Sequence, residues 1–408
     1  MIDYESARRI IRETALAKKP VVEKIILADA AGRICAEELV AGLTIQPFDN
    51  SAMDGFAVHL ADLEAASDLN PVTLRKAGTI GAGKYLEGET LEKGTCWHVM
   101  TGAVLPAGTE AIVPIENVTI DGDSVTFRNK PVAGEHIRYA GEDFKKGDPI
   151  LSKEERITVA HILPLATLGI AEIAVFRKPK ILFIPTGAEI VDELGAALQT
   201  GEIYNSNKFY AVSFLTACGA DIKVQNTVRD DPDHFAKILA EADGEGYDII
   251  ISSGAVSAGS FDFVKEGLEK SGARILYHKI KLKPGRPNLF AEMPSGALYF
   301  GLPGNPVATA AGLRFLVMEA LRIMQGQASG PPVYARAVND FSKKPGLHMV
   351  LKGRLEYRKD GSVTVEILDG QESFKASPFL RMNCWIDVPE GQGTVKSGDI
   401  VETRPLLP

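Results

Sequence analysis

The sequence predicts a multidomain α/β chain, and three observations carry that expectation. From Pro179 onward, apolar strand-like runs alternate with helix-length segments, a succession that predicts an open, mainly parallel sheet covered on both faces. Residues 46–140 read almost wholly as short strands split by Gly, Pro and Asp turns. The residues after 328 do so again and suggest a small β-barrel or sandwich. At 408 residues the chain is long enough for about two to four domains.

In chain order, residues 2–20 read as an amphipathic helix, with Ala7, Ile10, Ile11 and Thr14 at helical spacing and Pro20 at its end. Residues 151–176 read as a second helical piece that packs with the first, which makes the β region an insertion between two halves of a helical layer. PKILFIPTG is a buried-strand run ending in a Gly turn. Ser206 or Asn207 caps the next helix, with Gly219 just past its end. DIKVQNTV is a strand. Asp231-Pro232 opens a helix whose Phe235, Ile238, Leu239 and Ala242 recur at i, i+3, i+4 and i+7. YDIIISSG is a strand leading to a helix from about Phe261, ARILYHKIKL and ALYFGLPG are further strands, and a long apolar helix follows Pro306. QGQASGPP has a linker's composition. The strands of the last region are YARAVND, HMVLKGRLEYR, SVTVEIL, NCWIDVP and DIVETRP.

Composition narrows the function classes. Hydrophobic residues make up 45% and charged residues 24%, as in soluble globular proteins. No run of about 18 apolar residues is present to span a bilayer, and MIDYESARRI has no export-signal pattern. Net charge is −8 with no basic block, which disfavours nucleic-acid binding. Cys35, Cys96, Cys218 and Cys384 form no CxxC; reduced thiols in a cytoplasm are expected.

Several segments carry candidate chemistry. QPFDNSAMDGFAV (46–58) packs Asp49, Asn50, Ser51, Asp54 and Gly55 together, a density that suits either a functional loop or an Asx-turn cluster. Gly78 to Lys84 has P-loop spacing, but Tyr85 replaces the magnesium-binding hydroxyl, so a glycine-rich turn is expected. In SSGAVSAGSFD, Gly254 and Gly259 allow close backbone approach to a ligand, and the following helix offers an anion its N-terminus. Asp262 at that helix start is by itself no more than a first-turn carboxylate favoured by the dipole, and the same holds for Glu189 after Thr186-Gly187. Lys279, Lys281 and Lys283 alternate along one strand, so all three are expected on one face as an anion site. Pro303, Gly304 and Asn305 of LPGNP form a tight loop before a helix, either a phosphate-binding turn or an ordinary strand-to-helix turn. No HxH, HxxxH or GxSxG occurs. Carboxylates beside a polyanion site fit a bridging Mg²⁺.

Taken together, FDNSAMDGFAV, MTGAVLPAGTEAIVP, AGEDFKKGD, PTGAEIV, GEIYNSN, SSGAVSAGSFDFVK, KLKPGRP and LPGNPVA resemble the molybdopterin molybdenumtransferase family, the bacterial MoeA proteins and the gephyrin E domain. QESFKASPFLRMNC is a weaker match. The resemblance implies an elongated helical domain from residues 1–45 and 141–176, and an inserted β domain at 46–140. It further implies a three-layer α/β molybdopterin-binding domain at 177–327 and a C-terminal β-barrel-like domain at 328–408. It implies a homodimer with active sites shared between subunits, and molybdopterin adenylyltransferase and molybdoenzymes as partners. The implied reaction inserts molybdate into adenylylated molybdopterin with Mg²⁺-dependent release of AMP; a tungstate-preferring insertase and a non-catalytic scaffold are alternatives.

By motif, the resemblance makes Asp54, Thr101, Asp143, Glu189, Asp230 and Asp262 catalytic, with Glu189 and Asp262 as Mg²⁺ ligands. It makes Lys279, Lys283, Ser377, Gly254, Gly259, Pro303, Gly304 and Asn305 substrate-binding. Three departures stand out. TGAE carries Ala188 where the family has Asp, and GAVS carries Ala255 where it has Gly. Lys352 occupies the place of an arginine expected at the oxyanion, with Arg354 nearby as the other cation.

Overall fold

The structure is a computed structural model that describes residues 1–84, 88–229, 231–255, 263–327 and 331–407. At its centre is a six-stranded sheet in the order 221–224, 180–185, 249–253, 298–302, 289–292, 274–278. The first four strands run parallel, and 289–292 runs opposite to them, pairing antiparallel with both 298–302 and 274–278. Helices Pro232–Gly244 and Phe263–Lys270 cover one face, and their Phe235, Ile238, Leu239, Val264 and Leu268 form one core with Leu182, Ile184 and Ile250. The other face buries Ile181, Phe183, Ile249 and Ile251 against Ala211, Phe214 and Leu215 of helix Ser206–Ala217 and against the helical run 306–324. The run of apolar residues through Ile249–Ile251 follows from this double coverage.

The N-terminal helix is Tyr4–Leu16, capped by Asp3, whose carboxylate accepts from the Ser6 amide at 2.7 Å. Its buried face, Tyr4, Ala7, Ile11 and Ala15, joins the core of the α/β sheet, and Glu319 receives Arg8 at 3.1 Å and Arg12 at 2.6 Å. The expected pairing of the two helical pieces is therefore overturned. Amphipathic spacing names a buried face but not the surface that buries it. In 151–176 only Val159–Thr167 is helical, flanked by strands Pro149–Leu151 and Glu172–Phe176. Its Leu165 sits in a separate small core with Ala30, Cys35, Leu151 and Ile157. Strand Glu172–Phe176 pairs antiparallel with Val22–Ile26, so the two separated segments are stitched by strands.

The inserted region forms a six-stranded sheet, in the order 111–114, 55–58, 95–99, 72–80, 124–127, 118–121. Gly78 lies within one of these strands, where a Cβ would run into the Trp97 ring. That glycine accommodates an indole, which fits a reading other than a P-loop; Tyr85 lies outside the described residues. In the C-terminal region, strands 348–357, 363–367, 333–337, 400–405 and 384–388 pair in that order, and 384–388 returns to 348–357, closing a five-stranded barrel.

The expectation that Lys279, Lys281 and Lys283 share one strand face is overturned. The strand Arg274–His278 ends at Lys279, which takes a positive φ of 70°. Leu282–Lys283 then pairs with His348–Met349 of the barrel instead of continuing in the α/β sheet. Lys281 is spoken for by Glu390 at 2.7 Å. An unread strand, Leu289–Glu292, fills the sheet position beside Leu298–Leu302.

Candidate functional site

A cavity of about 650 Å³ opens at the carboxyl ends of strands 180–185, 249–253 and 298–302. Strand 180–185 connects to its neighbour on one side and the chain then returns to 249–253 on the other, so the cavity mouth lies at the topological switch point of the sheet. Its walls are the turns Thr186-Gly187, Gly254-Ala255 and Pro303-Gly304-Asn305, with Glu189 and the Tyr204–Asn207 segment alongside.

Each turn has a local cause. The Thr186 amide donates to the Ser253 carbonyl at 2.9 Å, and the Gly254 amide to the Leu302 carbonyl at 3.0 Å, extending the ladder past the strand ends. Gly254 has a φ of 108°, and a Cβ there would lie 2.5 Å from Thr186 Oγ1 and 2.6 Å from its carbonyl oxygen. Only glycine fits both the angle and the space. Ala255 is itself at a φ of 50°, in the left-handed region. Thr309 Oγ1 donates to the Pro303 carbonyl at 2.5 Å and holds the 303–305 turn against its helix.

Two helices aim their N-termini at the cavity. Helix Ser206–Ala217 is capped by Asn205, whose Oδ1 accepts from the Lys208 amide at 3.0 Å. Sequence expectation placed the cap at Ser206 or Asn207, one or two residues late. Asn207 instead ties two turns together, its Nδ2 donating to Ser253 Oγ and to the Gly304 carbonyl, both at 2.8 Å. The second N-terminus, at Pro306, follows Asn305 directly. Asn305 Nδ2 donates to Ser373 Oγ at 3.2 Å and the Val307 amide donates to the Ser373 carbonyl at 3.2 Å, which draws a loop of the C-terminal barrel over the cavity and brings Phe374 into its wall. The described lining contains no Lys or Arg. Its positive character comes from helix N-termini and from amide and hydroxyl donors, an arrangement suited to an anion.

Glu189 is the one carboxylate in the described lining, and no described side chain pairs with it. One carboxylate among amide and hydroxyl groups fits Mg²⁺, which keeps several waters and takes substrate phosphate oxygens.

Residues of the inserted region do not line this cavity, but two that the sequence singled out meet each other. Asp54 Oδ1 accepts from the Thr101 amide and from Thr101 Oγ1, both at 2.7 Å. Those two hydrogen bonds hold its carboxyl below the usual carboxylate range, and it remains fully exposed. Asp143 is exposed, on a loop anchored by its amide to the Ile45 carbonyl at 3.1 Å. The neighbouring polar groups have structural work. Asp49 accepts from the Ala140 amide at 2.8 Å, Asn50 donates to Gln46 Oε1 at 2.8 Å, and the Ser51 hydroxyl donates to the Met53 carbonyl at 2.5 Å. Segment 46–58 is thus a turn held by its own polar side chains, with the Met53 amide also donating to Ser51 Oγ at 3.3 Å, and it presents Asp54.

Of the residues picked from sequence, Glu189, Gly254, Pro303, Gly304 and Asn305 line the cavity. Lys279, Lys283 and Ser377 do not; Pro287 represents the KPGRP turn there, and Phe374 the C-terminal loop. Gly259, Asp230 and Asp262 lie outside the described residues. Asn205, Asn207, Ser253 and Phe374 were missed, although GEIYNSN, SSG and QESF lay inside segments already marked.

A mainly parallel α/β layer with an anion-suited cavity at its switch point, covered by a loop from a closed barrel and joined to an inserted β sheet, defines a multidomain protein built around an anionic small molecule. Residues 2–169 match the family model described as the MoeA N-terminal region (domain I and II). Residues 182–323 match a probable molybdopterin binding domain, and 334–406 the MoeA C-terminal region (domain IV). The molybdopterin molybdenumtransferase of Haemophilus influenzae is 36% identical over 388 residues, covering 94% of each chain. That of Synechococcus elongatus is 31% identical over 407 residues, covering 100% of each. The crystal structure of a molybdopterin biosynthesis MoeA protein from Pyrococcus horikoshii superposes with a TM-score of 0.81 at 26% identity, covering 100% of this chain and 99% of that one. The chain belongs to the MoeA family of molybdopterin molybdenumtransferases, and it is an enzyme of molybdenum cofactor biosynthesis with molybdate and molybdopterin as substrates.

Proposed function

We propose that the cavity binds molybdopterin in its adenylylated form, and that molybdate insertion is coupled to Mg²⁺-dependent hydrolysis that releases AMP. The observation that carries this reading is the convergence of the Asn205 and Asn305 helix N-termini on a cavity of about 650 Å³ with Glu189 at its wall. Both termini offer dipoles and amides to a pyrophosphate, and Phe374 gives an aromatic face for a planar ring. Glu189 would hold Mg²⁺ there; Asp262, the second metal ligand that the motif resemblance implies, lies outside the described residues. Bound Mg²⁺ would withdraw charge from the phosphates as the anhydride P–O bond breaks and water oxygen bonds to phosphorus. Asn207, by locking Ser253 to Gly304, keeps the two turns from spreading as that charge develops.

The inserted region's Asp54, Thr101 and Asp143 join this chemistry most simply from a second copy. Helix Val159–Thr167 supports a homodimer: Val159 and Leu163, one turn apart, are 79% and 75% exposed and form an apolar stripe on its outer face. The four buried, unpaired thiols support a reducing compartment, the cytoplasm.

The test is AMP release from adenylylated molybdopterin with Mg²⁺, with molybdate or with tungstate. Wild type is expected to release AMP on addition of molybdate, and Glu189→Gln to lose about 10²-fold or more of that rate while retaining its unfolding midpoint. Molybdate-dependent release undiminished in Glu189→Gln would remove the metal role from this residue.

A further inference from the structure

Lys352 is fully buried, yet its ammonium is not directed at the cavity. Nζ donates to the carbonyls of Glu372 and Lys375, at 3.2 and 3.1 Å. Its main chain is gripped as well: the Lys352 amide donates to Gln371 Oε1 and Gln371 Nε2 donates to the Lys352 carbonyl, both at 3.0 Å. Between those anchors lie Ser373, bound to Asn305 and Val307, and Phe374, a cavity wall. Arg354, the other cation considered from sequence, is half-exposed and lies 3.8 Å from Glu356. Where an arginine in contact with the oxyanion is implied, this chain therefore holds a lysine turned toward its own backbone.

We propose that Lys352 is a positioning residue, an internal clamp that fixes the 371–375 loop so that Ser373 and Phe374 close the cavity over substrate. The clamp depends on charge. An ammonium bonds carbonyls more strongly than a neutral amine and offers three donors rather than two. Burial pushes Lys352 down to about 8, with the Glu372 carboxylate drawing it up and the Lys375 ammonium pressing it further down; these are the charged groups that face it. The clamp is thus mostly engaged at neutral pH and slackens as pH rises through about 8. This role rests on the cavity being the substrate site.

Two readouts separate the clamp from that reading. The first needs no substrate: trypsin cleavage after Lys375 in the intact protein, corrected for trypsin's own pH dependence with a peptide substrate. Cleavage is expected to be about 10-fold faster in Lys352→Met than in wild type at pH 7. It should accelerate in wild type between pH 7 and 9, and stay flat in Lys352→Arg, which keeps its charge. The second is steady-state AMP release, where Lys352→Met should raise KM for adenylylated molybdopterin about 10-fold with kcat changed less than about 3-fold, and Lys352→Arg should restore it. Equal cleavage rates in wild type and Lys352→Met would overturn the clamp, even if no AMP is released. So would a rise in KM for molybdate alone with the loop still protected, because that is the signature of direct oxyanion contact.

Discussion

Asp192 does not line the cavity, but it decides which way Asn205 faces. Asn205 Nδ2 donates to Asp192 Oδ1 at 2.8 Å, and Thr227 gives Asp192 Oδ2 its amide at 3.1 Å and its hydroxyl at 2.8 Å. With its amide nitrogen committed, Asn205 can turn only its oxygen to the helix it caps. Burial works against the Asp192 charge, but the hydrogen bonds from Asn205 and Thr227, helped by the Lys208 ammonium, outweigh it and lower its pKa. A carboxylate lowered in the fold contributes stability that is complete above its unfolded pKa, near ~4, and is lost as pH falls through the lowered value. Asp192→Ala is expected to cost about 1–3 kcal/mol at pH 7 in urea unfolding, and its gap from wild type to narrow below about pH 4. A gap that holds constant through acid pH would show that shape, not charge, matters here. Nothing in the sequence distinguishes Asp192 from Glu193 beside it, since its partners arrive from residues 205 and 227. Lys352 was illegible for a related reason. Residues 348–353 are all buried, because Met349 and Leu351 face the barrel core while Val350 packs on the α/β core, so alternation gives no clue to which way a lysine turns.

Elements were legible where their signals are local. Asp231 caps helix Pro232–Gly244 through two amides, and Phe235, Ile238, Leu239 and Ala242 are its buried residues, as the spacing predicts. The parallel strands of the central sheet and the barrel strands were visible as apolar runs between turn residues. The break at Lys279 was not, because the next strand leaves for the barrel, and that choice is tertiary. The turn after strand 249–253 shows what a sequence departure means physically. Ala255, where the motif resemblance implies a glycine, sits at a φ of 50°, a conformation that costs an L-residue about 1–2 kcal/mol. Ala255→Gly is therefore expected to stabilise the protein by about 1 kcal/mol, less what glycine gives back in unfolded-chain entropy. The adjacent Gly254→Ala should destabilise by about 1–3 kcal/mol or more, since its Cβ would run into the Thr186 backbone. Both follow from denaturant midpoints. Equal and small effects at the two positions would mean that the turn relaxes, and that Ala255 carries no strain to relieve.

At the scale of the whole molecule, the described cavity lining draws on the α/β layer and the barrel but on no residue between 46 and 140. Yet Asp54 and Thr101 are hydrogen-bonded to each other and solvent-exposed in that inserted region, with the Asp54 carboxyl held below the usual carboxylate range. On the dimer reading proposed above, such a pair, kept off its own cavity, would complete a neighbour's site, and the exposed Val159 and Leu163 would offer that neighbour a surface. The prediction is complementation. Asp54→Ala should inactivate through the inserted sheet and Glu189→Gln through the cavity, each leaving the other half intact. If every site joins one subunit's cavity to its partner's inserted sheet, a mixed dimer carries one doubly damaged site and one undamaged site. Random exchange of equal amounts of the two inactive variants should then restore about a quarter of wild-type AMP release. Leu163→Asp in both chains should abolish the rescue by leaving monomers, as read by light scattering. If Asp54 served the cavity of its own chain, no mixture would contain an intact site, and the mixed sample would stay as inactive as its parts.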